Sequence, residues 1–171
     1  MGIVGFTHFF KKCIETKHIK NYCGSTVIVD AIYQIFRYSI AIRNSGSDIV
    51  NENGTRLNHI WAIMQYTLYL WRLGIKPIYV FDGKAPAIKK ETLIARKHER
   101  NKANQSMENL DETSAEYIKY FKKTFHLTGQ EIRDCIELLE CLGIPYVREY
   151  GEADLYCAPI IKSMGNVTGV I

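Results

Sequence analysis

Two aspartates stand at the ends of short apolar runs, in positions where a carboxylate could bind a metal ion. Residues 26–29 are followed by Asp30, and residues 78–81 by Asp82 and a glycine. Such runs predict strands that are buried on both faces of a parallel sheet. The carboxyl ends of these strands line the ligand crevice of an open α/β sheet, so both acids are candidate metal ligands. Two structural roles compete with this: Asp82 and Gly83 also form an ordinary turn sequence, and Asp30 could cap the next helix.

Two further acids, Glu152 and Asp154, follow a third predicted strand at residues 144–147. Residues two apart point to different sides of a helix. Their carboxylates therefore converge only if they straddle the loop and the first helical turn. The helix dipole favours acids at this position even without a function, so that alternative stays open.

A strongly basic segment follows Asp82. Residues 84–103 hold seven Lys or Arg against two acids, and Lys89, Arg96 and Arg100 lie roughly on one side of a helix. A basic helix beside carboxylates indicates a phosphodiester backbone between them, because Lys and Arg neutralise phosphates while carboxylates hold a reactive metal. A solvated charged face is the alternative.

A second basic patch mixes lysines with aromatic residues, a composition that suits nucleic acid through phosphate contacts and base stacking. About half of its aromatics could equally belong to the core. The patch comprises Tyr117, Lys119, Tyr120, Phe121, Lys122, Lys123 and Phe125.

The remaining pattern predicts an alternation of strands and helices. Apolar periodicity predicts helices over residues 31–43, 58–73 and, from a capping box at Thr128 and Glu131, 129–142. We also expect a short amphipathic helix within residues 1–25, a loop at 44–55, a flexible polar crest at 104–114 and a fourth strand at 167–171. Pro159 is expected to break the last helix unless it lies in the first turn. Two helices are predicted between the first and the second strand. This order implies a right-handed crossover between parallel strands.

Composition sets broad limits on the class of protein. At 171 residues and 47% hydrophobic content, one compact domain is expected. No apolar run is long enough for a membrane helix, and the start lacks a signal-peptide layout, so we expect no membrane association. Five cysteines without a C-x-x-C pair favour a reducing, intracellular compartment over a disulfide framework or zinc site. The net charge of +4 is modest, so the distribution of charge matters more.

Together these residues resemble the N-terminal nuclease region of the flap endonuclease and XPG family of structure-specific 5′ nucleases. The resemblance rests on Met1-Gly2-Ile3, on Val29-Asp30-Ala31, on the highly specific run at 74–86, and on Gly143-Ile144-Pro145-Tyr146 leading to Glu152-Ala153-Asp154. It implies a PIN-like three-layer α/β fold with a mostly parallel central sheet. Residues 1–171 would form a single nuclease domain, incomplete at its C-terminus, with a basic helical arch inserted at 84–127.

The resemblance also implies roles for individual residues. In the family, acids matching Asp30, Asp82, Glu152 and Asp154 help to bind two divalent ions, normally magnesium, with manganese as an alternative. The ions activate water and stabilise the scissile phosphate, towards which bases matching Lys89 and Arg96 project from the arch. The implied DNA contacts are Gly2, Phe36, Arg43, Arg100, Lys122 and Lys123.

The chain also departs from the family pattern. Phe36 stands where a stacking tyrosine is common, and Asp154 replaces a more usual glutamate. The family's Asp-x-Asp pair and its helix-two-turn-helix element would follow Ile171, so these four acids are expected to support one ion.

The expected activity is magnesium-dependent 5′ flap endonuclease or 5′–3′ exonuclease cleavage of DNA in replication or repair, in the nucleus or another site of replication. The expected partner is a 5′ flap or other branched duplex, with the missing acids supplied by a downstream segment or a second chain. The alternative is a catalytically incomplete DNA-binding fragment.

Overall fold

The fold is an α/β domain built on a four-stranded sheet. A computed structural model describes residues 5–83, 87–148, 151 and 153–171. The strands are β1 (Thr26–Asp30), β2 (Lys76–Phe81), β3 (Tyr146–Arg148) and β4 (Val167–Val170). The helices are α1 (Phe6–Phe9), α2 (Ala31–Ile42), α3 (Asn58–Arg72), α4 (Lys90–Met107), α5 (Ala115–Lys123), α6 (Gly129–Cys141) and α7 (Ala153–Met164). Short 3₁₀ turns lie at Lys11–Cys13, Ile19–Tyr22, Arg43–Ser45 and Ala87–Lys89.

All strand pairs in the sheet are parallel, in the order β3-β2-β1-β4. In the central pair, Thr26 lies opposite Lys76 and Asp30 lies opposite Val80. The predicted α/β class, its parallel sheet and its four strands are therefore confirmed. All strands point the same way, so their carboxyl ends meet at one edge, which we call the carboxyl edge.

Helices cover both faces of the sheet and make three layers. Val27, Val29, Tyr79 and Phe81 pack in one buried core with α2, α3 and α6. Ile28, Ile78 and Val80 pack on the other face in a second core with Ala153 and Cys157 of α7. Adjacent strand residues thus enter different cores, which explains the continuous apolar runs in the sequence.

Local capping signals set several helix ends. The predicted capping box at the start of α6 is present, with Thr128 and Glu131 each bonding the other's backbone amide. Gly74 and Gly143 follow α3 and α6 with φ of 70° and 66°, a left-handed conformation that suits glycine.

The expected break at Pro159 is wrong, because α7 runs from Ala153 to Met164 with Pro159 inside it. Proline removes one donor to the carbonyl four residues earlier, at Leu155. Leu155 is 68% exposed, so water can bond the carbonyl that loses its donor. The helix continues through Pro159 because the missing hydrogen bond lies on the side of α7 that faces solvent.

Two other segments differ in extent from their prediction. α4 continues to Met107, so the first part of the expected crest at residues 104–114 is helical. Ser106 Oγ donates to the Lys102 carbonyl at 2.9 Å within this last turn. Residues 5–25 contain one turn of α-helix and two 3₁₀ turns, so the expected short amphipathic helix is limited to the single turn at Phe6–Phe9. Among the described residues, no helix is both long and apolar enough to cross a membrane.

Candidate active site

The two strand-ending aspartates lie on adjacent strands and belong to the same side of the sheet. Asp30 is opposite Val80, so Asp82 lies two residues further along the neighbouring strand. Strand spacing and rise place their Cα atoms roughly 8 Å apart. Both continue the alternate positions that pack against α7, namely Ile28 on β1 and Ile78 and Val80 on β2. The acids therefore share the α7 side of the carboxyl edge.

Asp82 connects this edge to the start of α7. Its Oδ1 accepts a hydrogen bond of 2.8 Å from the backbone amide of Ala153. Next to it, the amide of Gly83 donates to the carbonyl of Gly151 at 2.7 Å. These two bonds bring Gly151 and Ala153 to the carboxyl edge. Glu152 itself lies outside the described residues, as does the side chain of Asp154, whose backbone belongs to α7.

Asp30 caps α2 as well as ending β1. Its Oδ1 accepts from the backbone amide of Tyr33 at 2.9 Å, so the structural role left open by the sequence does occur. A carboxylate offers about four acceptor positions, so capping a helix and binding a cation are compatible roles for one aspartate.

The donor chemistry of the edge fits a hard divalent cation. Magnesium and manganese prefer oxygen ligands, and the predicted set consists only of carboxylates. Within the part of the chain that the structure describes, no group of three His, Cys, Asp or Glu side chains is clustered for a metal. Two predicted ligands, Glu152 and the side chain of Asp154, belong to the undescribed part, so the full ligand set stays a prediction.

The basic helices follow the carboxyl edge in the chain and pack on one another as α4 and α5. Lys89 and Arg96 are exposed, whereas Arg100 is half-buried. On α5, Lys122 Nζ donates to Asn44 Oδ1 at 2.9 Å, and exposed Lys123 lies 5.7 Å from the centre of the Tyr120 ring. Their predicted contacts with DNA stay predictions, as does that of Gly2, which lies outside the described residues.

Phe36, predicted to stack on nucleic acid, sits at the rim of the core. It is 36% exposed and its ring meets Phe125 edge to face, with centroids 5.0 Å apart. Part of the ring therefore remains accessible for stacking.

Arg43 does not present its guanidinium to solvent, and the buried arrangement does not support the predicted DNA contact. The residue is 4% exposed, and two of its nitrogens donate to the Asp48 carboxylate at 2.7 Å. Its third nitrogen donates to the Phe121 carbonyl at 2.7 Å and to Thr124 Oγ1 at 2.9 Å. The guanidinium also lies 4.1 Å from the centre of the Phe121 ring. We interpret Arg43 as a bridge between the end of α2 and the end of α5.

A second arginine, Arg56, makes a bridge that the sequence did not indicate. It forms a bidentate pair with Glu131 of α6, at 2.7 and 2.9 Å, and donates to the His126 carbonyl at 2.7 Å. Arg56 and Arg43 lie 4.8 and 5.1 Å from the centre of the buried Phe125 ring. The only local signal was the capping box that contains Glu131. Arg43 attaches the end of α5, and Arg56 attaches the start of α6, to the segment between α2 and α3.

Burial and neighbouring charges shift the pKa values of Asp48, Glu131 and His59. Burial alone would raise the pKa of Asp48 and of Glu131, but arginine contacts and amide bonds outweigh it, so both pKa values are lowered. His59 is 2% exposed, and burial lowers its pKa although Glu131 and Asp134 oppose this. Its ring nitrogens lie 3.6 Å from Glu131 and 3.4 Å from Asp134, too far for good hydrogen bonds.

The sequence is similar to a known protein family and to curated relatives. The family model described as the XPG N-terminal domain matches residues 1–103. Flap endonuclease 1 of Nematostella vectensis is 36% identical over 152 residues, which are 88% of this chain and 40% of that protein. Flap endonuclease 1 of Glycine max is 35% identical over 178 residues, covering all of this chain and 46% of the relative. The chain thus spans less than half the length of these relatives.

Solved structures show the same fold. Flap endonuclease-1 from Methanococcus jannaschii superimposes with a TM-score of 0.63 at 27% identity, covering 94% of this chain and 52% of that one. The catalytic core of Rad2 in complex with DNA substrate gives a TM-score of 0.66 at 24% identity, over 99% of this chain and 46% of that one. The resemblance read from the motifs is confirmed: the chain belongs to the XPG N-terminal domain family.

Proposed function

We propose that this chain is the N-terminal nuclease region of a structure-specific 5′ nuclease that hydrolyses DNA phosphodiesters with divalent metal. The observation that carries the proposal is the placement of Asp30 and Asp82 at the carboxyl ends of adjacent strands, on the side where α7 begins. Flap endonucleases among the relatives support the same conclusion. In the cell, this nuclease would act in DNA replication or repair, in the nucleus or at another site of DNA replication.

In this proposal the acids hold the metal and the basic helices hold the substrate. Asp30, Asp82, Glu152 and Asp154 bind magnesium, for which manganese can substitute, and the bound ion supplies Lewis-acid activation of water. Lys89 and Arg96 steady the scissile phosphate, because cations at this position offset the charge that develops during hydrolysis. Phe36, Arg100, Lys122, Lys123 and Gly2 contact the flap or the duplex beside it.

Cleavage of a 5′-flap duplex tests the proposal. The chain should release a 5′ product only when magnesium is present. Asp82→Asn and Asp30→Asn should each abolish this product, because each removes a charged ligand while the amide oxygen can still accept the capping bond. Asp111→Asn is the matched control, since Asp111 is an exposed acid in the turn between α4 and α5. Undiminished cutting by the Asp82 variant would contradict the assignment.

A second candidate is DNA binding without hydrolysis. The basic surfaces of α4 and α5 favour it, because lysine and arginine bind phosphate without any metal. This candidate would be correct if the chain binds the flap in a salt-sensitive manner and yields no product with magnesium or manganese. Addition of a second chain that supplies further acids would then restore cleavage if both halves of a site are needed.

A further inference from the structure

An aromatic surface covers the outer side of α2 and α3, away from the sheet. Tyr33, Trp61 and Tyr69 are 49%, 39% and 43% exposed, which is unusual for so many large rings on neighbouring helices. Arg37 is also exposed, and Tyr38 is half-buried between the two helices. We call this set the aromatic surface: Tyr33, Arg37, Tyr38, Trp61 and Tyr69.

Three rings of this surface, those of Tyr38, Trp61 and Tyr69, are linked through the buried Tyr66. Tyr38 lies 6.1 Å from Trp61 and 5.9 Å from the buried Tyr66, measured between ring centres. Tyr66 in turn stacks on Tyr69 at 6.1 Å with planes 23° apart. The Arg37 guanidinium lies 5.9 Å from the centre of the Tyr38 ring. These contacts hold the exposed rings of Trp61 and Tyr69 in place, so that a ligand would meet two preformed stacking surfaces there.

The charge of this surface is of one sign. Neither α2, with 12 residues, nor α3, with 15, contains any Asp or Glu. Arg72 follows Tyr69 by three residues on the exposed side of α3, and Arg37 follows Tyr33 by four on α2. A surface of aromatic rings and arginines without carboxylates is complementary to a polyanion that also carries flat rings.

The aromatic surface begins close in the chain to the candidate active site. The backbone amide of Tyr33 donates to the Asp30 carboxylate at 2.9 Å, so the surface begins one helical turn from a predicted metal ligand. A nucleic acid strand that reaches Asp30 could therefore continue across α2 and α3.

We propose that the aromatic surface binds the unpaired bases of a nucleic acid strand by stacking, with Arg37 and Arg72 contacting its phosphates. The inference rests on the proposed function for the presence of nucleic acid, and adds the contact mode, which is base-dependent and needs no metal. A protein partner or a second copy of the chain could also cover exposed rings. The lack of carboxylates and the position beside Asp30 favour the nucleic acid.

Tryptophan fluorescence can observe this surface directly, because the chain contains two tryptophans. Trp71→Phe leaves Trp61 as the single reporter. Trp61→Phe leaves Trp71, which is also on α3 and 44% exposed but lines a different cavity of about 320 Å³ beside Lys76 and Pro77. We expect a short oligodeoxythymidylate, added without divalent metal, to quench Trp61 saturably and to leave Trp71 unchanged.

An abasic oligonucleotide of the same length separates stacking from phosphate binding, because it keeps the phosphates and lacks the bases. It should bind about tenfold more weakly or worse, since each stacked base contributes on the order of a factor of ten. Tyr69→Ala should lower affinity for the thymidylate by a similar factor and leave affinity for the abasic strand unchanged.

Three results would overturn the inference: no saturable quenching of Trp61, equal quenching of both tryptophans, or equal affinity for the abasic strand. Blue-shifted Trp61 emission that grows with protein concentration alone, together with dimers in sedimentation, would instead assign the surface to a second copy. Loss of flap cleavage in the aspartate variants is a separate readout. The stacking inference can therefore fail while the proposed nuclease function stands, and the reverse also holds.

Discussion

Asp82 accepts a hydrogen bond of 2.8 Å from the backbone amide of Ala153, so the acid that ends β2 also caps the start of α7. The two residues are 71 positions apart in the chain. One carboxylate therefore serves both the fold and the proposed metal site. The two roles differ in their chemistry, because capping needs an oxygen acceptor and metal binding needs a negative charge.

Asp82→Ala and Asp82→Asn should separate these roles. The alanine variant loses the bond to Ala153, so its free energy of unfolding in urea should fall by about 1 kcal/mol. The asparagine variant keeps an acceptor oxygen and should lose less than half as much. Both variants should lose metal-dependent cleavage. Equal stability of the alanine variant and the unmodified chain would show that the capping bond contributes nothing.

Much of the fold could be predicted because its signals are local. Buried parallel strands appear as short apolar runs, and the capping box of α6 lies within four residues, from Thr128 to Glu131. The edge where Asp30 and Asp82 lie followed from the same patterns, because parallel strands end together.

The roles of Arg43 and Arg56 could not be predicted, because their partners are distant in the chain. Arg43 bonds to Phe121 and Thr124, 78 and 81 residues away, and Arg56 bonds to Glu131, 75 residues away. No local pattern distinguishes an arginine that will be buried from one that remains at the surface. The continuation of α7 through Pro159 could not be predicted either, because it depends on which side of the helix faces solvent.

Arg43→Ala should be strongly destabilising. It removes a bidentate partner from Asp48 and two bonds to the end of α5, so that a largely buried carboxylate loses its cation and keeps the hydrogen bond from Asn58. We expect the free energy of unfolding to fall by about 3–5 kcal/mol, measured by urea denaturation. Arg43→Lys should rescue only part of this, because lysine cannot form the bidentate pair.

Two comparisons make the Arg43 test specific. Arg43→Ala combined with Asp48→Asn should cost less than the sum of the single changes, because no buried charge is then left unpaired. Arg133→Ala is the control, since Arg133 is exposed and bonds only to Gln130 of its own helix among the described contacts. It should change stability by about 0.5 kcal/mol or less. A similar small effect for Arg43 would contradict its role as a bridge.

Stability should fall with acidification, beginning with His59. Burial lowers the pKa of His59 below its ordinary value of 6.5, so the unfolded chain takes up a proton at a pH where the folded chain does not. The stability is therefore complete above pH 6.5 and is lost as pH falls through the folded pKa, with a slope of at most about 1.4 kcal/mol per pH unit. The pKa values of Glu131 and Asp48 are lowered from 4.5 and 3.8. Both groups therefore add to the loss of stability as the pH falls below 4.5 and 3.8, respectively.

His59→Gln should flatten the pH dependence in the upper part of this range. Urea denaturation between about pH 7 and pH 5 should show a smaller slope for this variant than for the unmodified chain. His98→Gln, a change at an exposed position on α4, is the control and should keep the original slope. An unaltered slope in the His59 variant would mean that another group causes the loss.

Gly74→Ala should be more costly than the equivalent change at Gly143. Both glycines follow a helix with positive φ, so alanine at either site should cost about 1–2 kcal/mol in backbone strain. A Cβ at Gly74 would also lie 2.6 Å from Cys23 Sγ, whereas one at Gly143 meets nothing within 4 Å. Combining Gly74→Ala with Cys23→Ala removes the clash, so its cost in thermal denaturation should return to that of Gly143→Ala. Equal costs for both single variants would show that Cys23 moves aside freely.

The basic helices should determine how flap binding depends on salt. Each Lys or Arg that neutralises a phosphate contributes roughly one unit to the slope of log affinity against log salt concentration. Arg100→Ala on α4 and Lys123→Ala on α5 should each reduce that slope by about one, measured by fluorescence anisotropy with a 5′-flap duplex and no divalent metal.

Lys162→Ala is the matched control, because Lys162 is exposed in the last turn of α7, at the opposite end of the helix from the Asp82 bond. If Lys162→Ala lowered the slope as much as the other two, the binding would be a diffuse effect of net charge. A loss confined to Arg100 and Lys123 would place the phosphates along α4 and α5.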